Sequence, residues 1–129
     1  MDSDVLVVDD SAAIRKILQR VLRQTGMAIN TIHEAGDGQE ALDLLRSRVV
    51  DLVLTDINMP RMDGLELLAA IKKSSDLAAV PVVMITTEGG ETKVAEAVRL
   101  GAAGYVRKPF TTEQVKEKLA GILKPAVAP

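Results

Sequence analysis

Val5-Leu6-Val7-Val8-Asp9-Asp10 is the stretch whose reading decides the fold. Four apolar residues in unbroken succession fit a strand buried on both faces, and such strands belong to parallel sheets covered by helices on either side. The run stops abruptly on two carboxylates. The same pattern returns twice downstream, in Leu52-Val53-Leu54-Thr55 ending at Asp56 and in Val82-Val83-Met84-Ile85 ending at Thr86.

Between these runs the apolar period changes from continuous to helical. Ile14, Ile17, Leu18, Val21 and Leu22 recur at helix spacing, with Ser11 as N-cap and Gly26 as a left-handed stop. Residues Ile29 to Ala35 mix polar with apolar, as an edge strand does. Asp37-Gly38-Gln39-Glu40 reads as a helix start, with Ala41, Leu42 and Leu45 turned inward. The loop from Asn58 to Gly64 leads into a helix bearing Leu65, Leu68 and Ile71. Pro81 opens the fourth strand. After Gly89-Gly90 comes an Ala-rich helix with Val94, Ala97 and Val98, stopped at Gly101. Gly104-Tyr105-Val106 is a brief fifth strand that runs into Lys108-Pro109. The last helix starts at Thr111, has Gln114 at the capping-box position, and buries Val115, Leu119 and Ile122.

Five strands thus alternate with five helices. Crossovers of this length demand parallel strands and right-handed connections, which gives an α/β, doubly wound, three-layer architecture. One domain over residues 1–124 accounts for the pattern, and residues 125–129 read as a short tail.

Composition narrows the function. The 129 residues are 47% hydrophobic and 26% charged, so a globular fold with a real core is expected rather than disorder. Aromatic residues are only 2%, which leaves Val, Leu, Ile, Met and Ala to build that core. The formal charge is −2 with both signs interspersed, and no basic stripe suggests nucleic acid. With no cysteine there is no thiol nucleophile, disulfide or Cys-ligated zinc. No apolar run suggests a membrane span or a signal peptide, so a cytoplasmic monomer is the expectation.

In a parallel sheet all strand C-termini lie along one edge, where ligands bind. Asp9-Asp10, Asp56, Thr86 and Lys108 all fall at such ends. Two like charges about 4 Å apart repel by roughly 4 kcal/mol at an effective dielectric near 20. Three clustered carboxylates therefore call for a cation, and Mg²⁺ suits oxygen ligands beside phosphate. A carboxylate can serve as nucleophile in phosphoryl transfer. The transferred group then needs positive and hydrogen-bonding partners, which Lys108 and Thr86 can supply.

In this order and at these strand ends, the motifs resemble the receiver domain of response regulators, from Val5 to Leu123. The resemblance implies that Asp56 accepts a phosphoryl group from a histidine kinase or phosphotransfer protein. It implies Mg²⁺ bound by Asp10, Asp56 and the Asn58 carbonyl, with Asp9 acting through water, and Lys108 on a phosphoryl oxygen before a cis bond to Pro109. It also implies a flavodoxin-like sheet of order 2-1-3-4-5. Asn58 and Glu88 resemble the chemotaxis-type members, at positions that tune loss of the phosphoryl group. Tyr105 matches a switch aromatic that turns inward as Thr86 moves. The face formed by the fourth helix, fifth strand and fifth helix would then change its partner, such as a flagellar switch component or a phosphatase. Thr87 departs from the commoner Ala or Ser, and Ser11 stands where some chemotaxis members are bulky.

Plainer readings stand beside these. Asp9 or Asp10 could cap the first helix, Tyr105 could be a half-buried core aromatic, and Gly89-Gly90 could be only a turn. His33 lies on the edge strand and is read as structural rather than as a phosphate relay. Gly36-Asp37-Gly38-Gln39-Glu40-Ala41 fits a dinucleotide fingerprint, but it follows an edge strand and would set Asp37 and Glu40 against a pyrophosphate. An aspartate-nucleophile phosphatase is the enzymatic alternative. That chemistry expects a second Asp two residues after the nucleophile, where this chain has Asn58. A signalling receiver rather than an enzyme is therefore the expected class.

Overall fold

In the computed structural model, which describes residues 2–87 and 91–123, strands and helices alternate along the chain. They run β1 (Ser3–Val8), α1 (Ala12–Gln24), β2 (Ile29–Ala35), α2 (Gly38–Ser47), β3 (Leu52–Asp56), α3 (Gly64–Lys73), β4 (Val82–Thr86), α4 (Glu91–Arg99), β5 (Gly104–Arg107) and α5 (Thr112–Leu119). The five strands form one sheet of order β2-β1-β3-β4-β5, every neighbouring pair parallel. This is the doubly wound order expected above, with its reversal between β1 and β3.

The continuous apolar runs are explained by helices on both sides. Val5 and Val7 of β1, Leu52 and Leu54 of β3, and Val83 and Ile85 of β4 pack with Leu18 and Leu22 of α1 and Val115 and Leu119 of α5. Alternate residues Leu6, Val8, Val53, Val82 and Met84 face the other way, onto α2, α3 and Ala97 of α4. Side chains point alternately up and down a strand, so neither face of these strands can be polar. At about 1.5–3 kcal/mol per fully buried aliphatic side chain, these two layers hold the molecule together.

Helix starts follow the capping chemistry. Ser11, Asp37, Asp63 and Thr111 each accept a backbone N–H with the side chain from extended backbone. Full capping boxes form at Asp63–Glu66 and Thr111–Gln114. Gly26 takes φ +75° after α1, in the left-handed region that a side chain disfavours.

Four core assignments change. In α1, Leu18 and Leu22 are fully buried, while Ile17 is 45% exposed. In α3 it is Leu67, with Leu68 and Ile71, that is fully buried, while Leu65 in the first turn is only partly covered. Val98 is 57% exposed, because α4 turns only Ala97 fully into the core and the next residue lies about 100° away. After α5 it is Leu123 that reaches the core, and Ile122 is partly buried. Glu88, Gly89, Gly90 and the 125–129 tail lie outside the described residues. Among the described residues, no helix is long and apolar enough to cross a membrane.

Candidate functional site

β1 and β3 lie side by side with Val8 opposite Thr55, so the next residue of each, Asp9 and Asp56, emerges at the same sheet edge. Asp9, Asp10 and Asp56 each offer a carboxylate oxygen, and these oxygens lie within 4.8 Å of one another. Asp9 and Asp56 are buried, and Asp10 is exposed. Backbone groups orient the buried pair. Asp9 accepts the Ser11 N–H at 2.9 Å, and Asp56 accepts the Ile57 N–H at 2.9 Å.

Lys108, just past β5, reaches back across the sheet edge. Its Nζ lies 3.4 Å from Asp9 and 3.6 Å from Asp56. Its backbone N–H donates to the Thr86 carbonyl at 2.6 Å, and the Lys108–Pro109 bond is cis. At an effective dielectric near 20, a contact of this length gives about 5 kcal/mol of attraction before desolvation is charged against it. One ammonium among three carboxylates leaves a formal deficit of two positive charges (three minus one).

The electrostatics of Asp56 express that deficit. Burial pushes its carboxyl above the usual carboxylate range. The Lys108 ammonium pulls the other way, the Asp9 charge adds to the push, and the N–H groups of Ile57 and Asn58 oppose it. All the donors are hard carboxylate oxygens, with one side open at Asp10. That set suits a divalent cation of the Mg²⁺ type, which keeps some of its waters.

Thr86, at the end of β4, is buried, and its hydroxyl donates to the Thr87 carbonyl at 3.2 Å. Tyr105 on β5 is partly buried, with the Lys118 ammonium 5.3 Å from its ring centre. Asn58 is exposed on the rim, where its side-chain oxygen accepts from Lys93 Nζ.

Several supporting groups were not legible beforehand. Gly64 brings the start of α3 against the loop after β3. A Cβ there would lie 2.2 Å from the Asp56 carbonyl oxygen, and the Gly64 N–H donates to the Ile57 carbonyl at 2.8 Å. Arg61, at φ +66°, pairs with the buried Asp37 and fastens this loop to the start of α2. Arg15 donates to the Asp9 carbonyl at 2.6 Å. Of these supporting groups, the sequence marks only Asp37, as a helix cap.

The dinucleotide fingerprint is occupied by the protein itself. A Cβ on Gly38 would lie 2.6 Å from the Met62 side chain, so that glycine serves loop packing rather than a pyrophosphate. His33 on the edge strand β2 bonds Asp4 of β1 at 3.2 Å and is not part of the acidic group.

The model of the response regulator receiver domain matches residues 5–120. The chain belongs to that receiver family. Among curated proteins, the receiver is 42% identical over 120 residues to the chemotaxis protein CheY-3 of Vibrio cholerae, covering 93% of this chain and 91% of that one. It is equally identical to the chemotaxis protein CheY of Pseudomonas aeruginosa, over 93% and 95% of the two chains. Among solved structures, the chemotaxis response regulator CheY4 of Vibrio cholerae superposes with a TM-score of 0.84 at 33% identity, over 95% of this chain and all of that one. The receiver domain of NtrX from Brucella abortus does so at 0.78 and 34%, over 90% and 98%.

Proposed function

We propose that this receiver is a signalling module of a two-component system, switched by a phosphoryl group on the Asp56 carboxylate. The observation that carries the reading is the meeting of three carboxylates and the Lys108 ammonium at one sheet edge, two positive charges short of balance. Residues 1–124 would form the phospho-receiving domain.

In this reading Asp9, Asp10, Asp56 and the Asn58 backbone carbonyl hold Mg²⁺, which supplies charge neutralisation beside the incoming phosphoryl group. Asp56 attacks phosphorus with a carboxylate oxygen, and the bond from phosphorus to the donor nitrogen of a phosphohistidine breaks. Lys108 needs little movement to reach a phosphoryl oxygen on Asp56. Thr86 trades its bond to the Thr87 carbonyl for one to the phosphoryl group, and Tyr105 moves into the space behind it. The state of the site is thereby read on the face of α4, β5 and α5. Asn58 and Glu88 tune how long the group stays.

The donor is a histidine kinase or phosphotransfer protein, and the setting is the cytoplasm. Chemotaxis is the favoured pathway, on the strength of the two 42%-identical chemotaxis relatives. The phosphatase alternative loses ground at Asn58, whose amide cannot serve as the acid–base group that chemistry requires.

The test is incubation with Mg²⁺ and a small acyl or amido phosphate, read by intact-mass spectrometry. One phosphoryl group per chain is expected, absent with chelator and absent in Asp56→Asn. Many turnovers on organic phosphates, with no covalent adduct, would replace the receiver reading by the phosphatase one.

A further inference from the structure

Arg15, near the start of α1, sends its side chain back to the sheet and meets two groups there. Its Nη1 donates to the Asp9 backbone carbonyl at 2.6 Å, and its Nε donates to the Glu34 carboxylate on β2 at 2.9 Å. The side chain is only 18% exposed. A guanidinium is planar and always charged, so the two bonds make it a stiff link between β2 and the turn after β1. Its bond to Glu34 holds that carboxyl below the usual range against partial desolvation, which keeps both partners charged at neutral pH.

The carbonyl that Arg15 grips belongs to the peptide joining Asp9 to Asp10. The rest of Asp9 is tied as well. Its N–H donates to the Ala35 carbonyl at 3.1 Å, and its carboxylate accepts the Ser11 N–H at 2.9 Å and meets Lys108 Nζ at 3.4 Å. Asp10 is exposed, and where its carboxylate can reach depends on the plane of that peptide. Its oxygen nevertheless lies within 4.8 Å of those offered by Asp9 and Asp56. Repulsion among three like charges favours turning Asp10 away, and a held backbone limits how far it can go.

We propose that Arg15 is a positioning residue for the divalent cation, holding the Asp9–Asp10 peptide so that the three carboxylates stay convergent. The inference rests on Asp9, Asp10 and Asp56 being the cation site. Glu34 acts through Arg15, by fixing the guanidinium that grips the carbonyl. The donor set is thereby arranged before the cation arrives. Charge alone predicts a different pattern. A guanidinium near the cluster repels a cation, so deleting it should tighten binding. Positioning predicts that the same deletion weakens it.

The experiment measures Mg²⁺ dissociation constants by isothermal titration calorimetry on chelator-stripped wild-type, Arg15→Met, Arg15→Lys, Glu34→Gln and Arg15→Met/Glu34→Gln protein. Each is titrated at a temperature where circular dichroism shows it folded. Arg15→Met should bind about tenfold more weakly than wild type, the usual effect of losing a group that orients a metal ligand. Glu34→Gln should lose about threefold, and the double variant should be no weaker than Arg15→Met. Arg15→Lys keeps the charge and loses the fork, so it should also bind more weakly, by a smaller factor. That variant decides the matter where Arg15→Met fails to fold, because charge alone leaves its constant unchanged. Wild-type or tighter binding in Arg15→Met or in Arg15→Lys, or losses that multiply in the double variant, would overturn the role of Arg15 and leave the cation site standing. A wild-type protein that binds no Mg²⁺ would sink both.

Discussion

Asp56 carries a charge that the fold resists. Its carboxyl is raised above its ordinary value chiefly by burial, so the folded state holds the proton more tightly than the unfolded chain does. Stability is therefore greatest with Asp56 protonated and falls as pH climbs from the ordinary aspartate value through the raised one. In chelator, Asp56→Asn is expected to melt higher than wild type at neutral pH, with the gap closing as pH drops through that window. Parallel melts across pH 4–8 check it, and equal midpoints throughout would refute it. Asp4 and Glu34 pull the other way, because partners hold their carboxyls below the usual range. Their contribution is present above the ordinary value and is lost as pH falls through the lowered one, so the comparison with Asp56→Asn isolates the single group. Glycine is equally specific at this scale. Gly64→Ala drives a Cβ into backbone at 2.2 Å and should cost roughly 1–3 kcal/mol or more. Gly38→Ala should cost less, since the Met62 side chain it meets can turn away. Urea titrations of the two variants give the order.

The helices were legible at their starts more than along their faces. Ser11, Asp37 and Thr111 cap where the sequence placed them, because the first N–H groups of a helix must find acceptors, while Asp63, read only as part of a loop, proved to cap α3 as well. Asp63→Ala should lower stability by about 1 kcal/mol, the usual worth of an N-cap, with little change in the urea slope. A loss near zero would mean that Gly64 packing alone sets the start of α3. The inward faces were less readable where the apolar stripe is wide or thin. Leu65, Leu67 and Leu68 all compete in α3, and only contact with the sheet selects the last two. In α4 both Val94 and Val98 fit the period, yet the helix sits so that Ala97 faces in and Val98 faces solvent.

For the whole molecule, the expected consequence of an unbalanced acidic edge is that a divalent cation bound there raises the stability of the fold. A ligand that binds only the native state adds RT ln(1 + [L]/Kd), about 2.7 kcal/mol at a hundredfold excess over Kd. Titrating Mg²⁺ into chelated protein should raise Tm progressively, and chelator should return it. Asp9→Asn/Asp56→Asn protein should show no such rise. A Tm in that variant that climbs with Mg²⁺ as in wild type would place the cation elsewhere.

The sequence by itself determined the elements, their alternation and the chemistry at the strand ends. Unbroken apolar runs can be satisfied only between two layers of helices, and carboxylates at their ends can go nowhere but the edge. It also carried the family, since Asp9, Asp10, Asp56, Thr86 and Lys108 fall in that order at those ends. Tertiary structure alone decided which groups hold the site in shape: Arg15 on the Asp9 carbonyl, Arg61 on Asp37, Gly64 under Asp56 and Lys93 on Asn58. Those pairings join segments with no local pattern in common. A hydrogen bond between exposed side chains leaves no period, cap or turn in the chain, and it exists only once packing has brought the partners within about 3 Å.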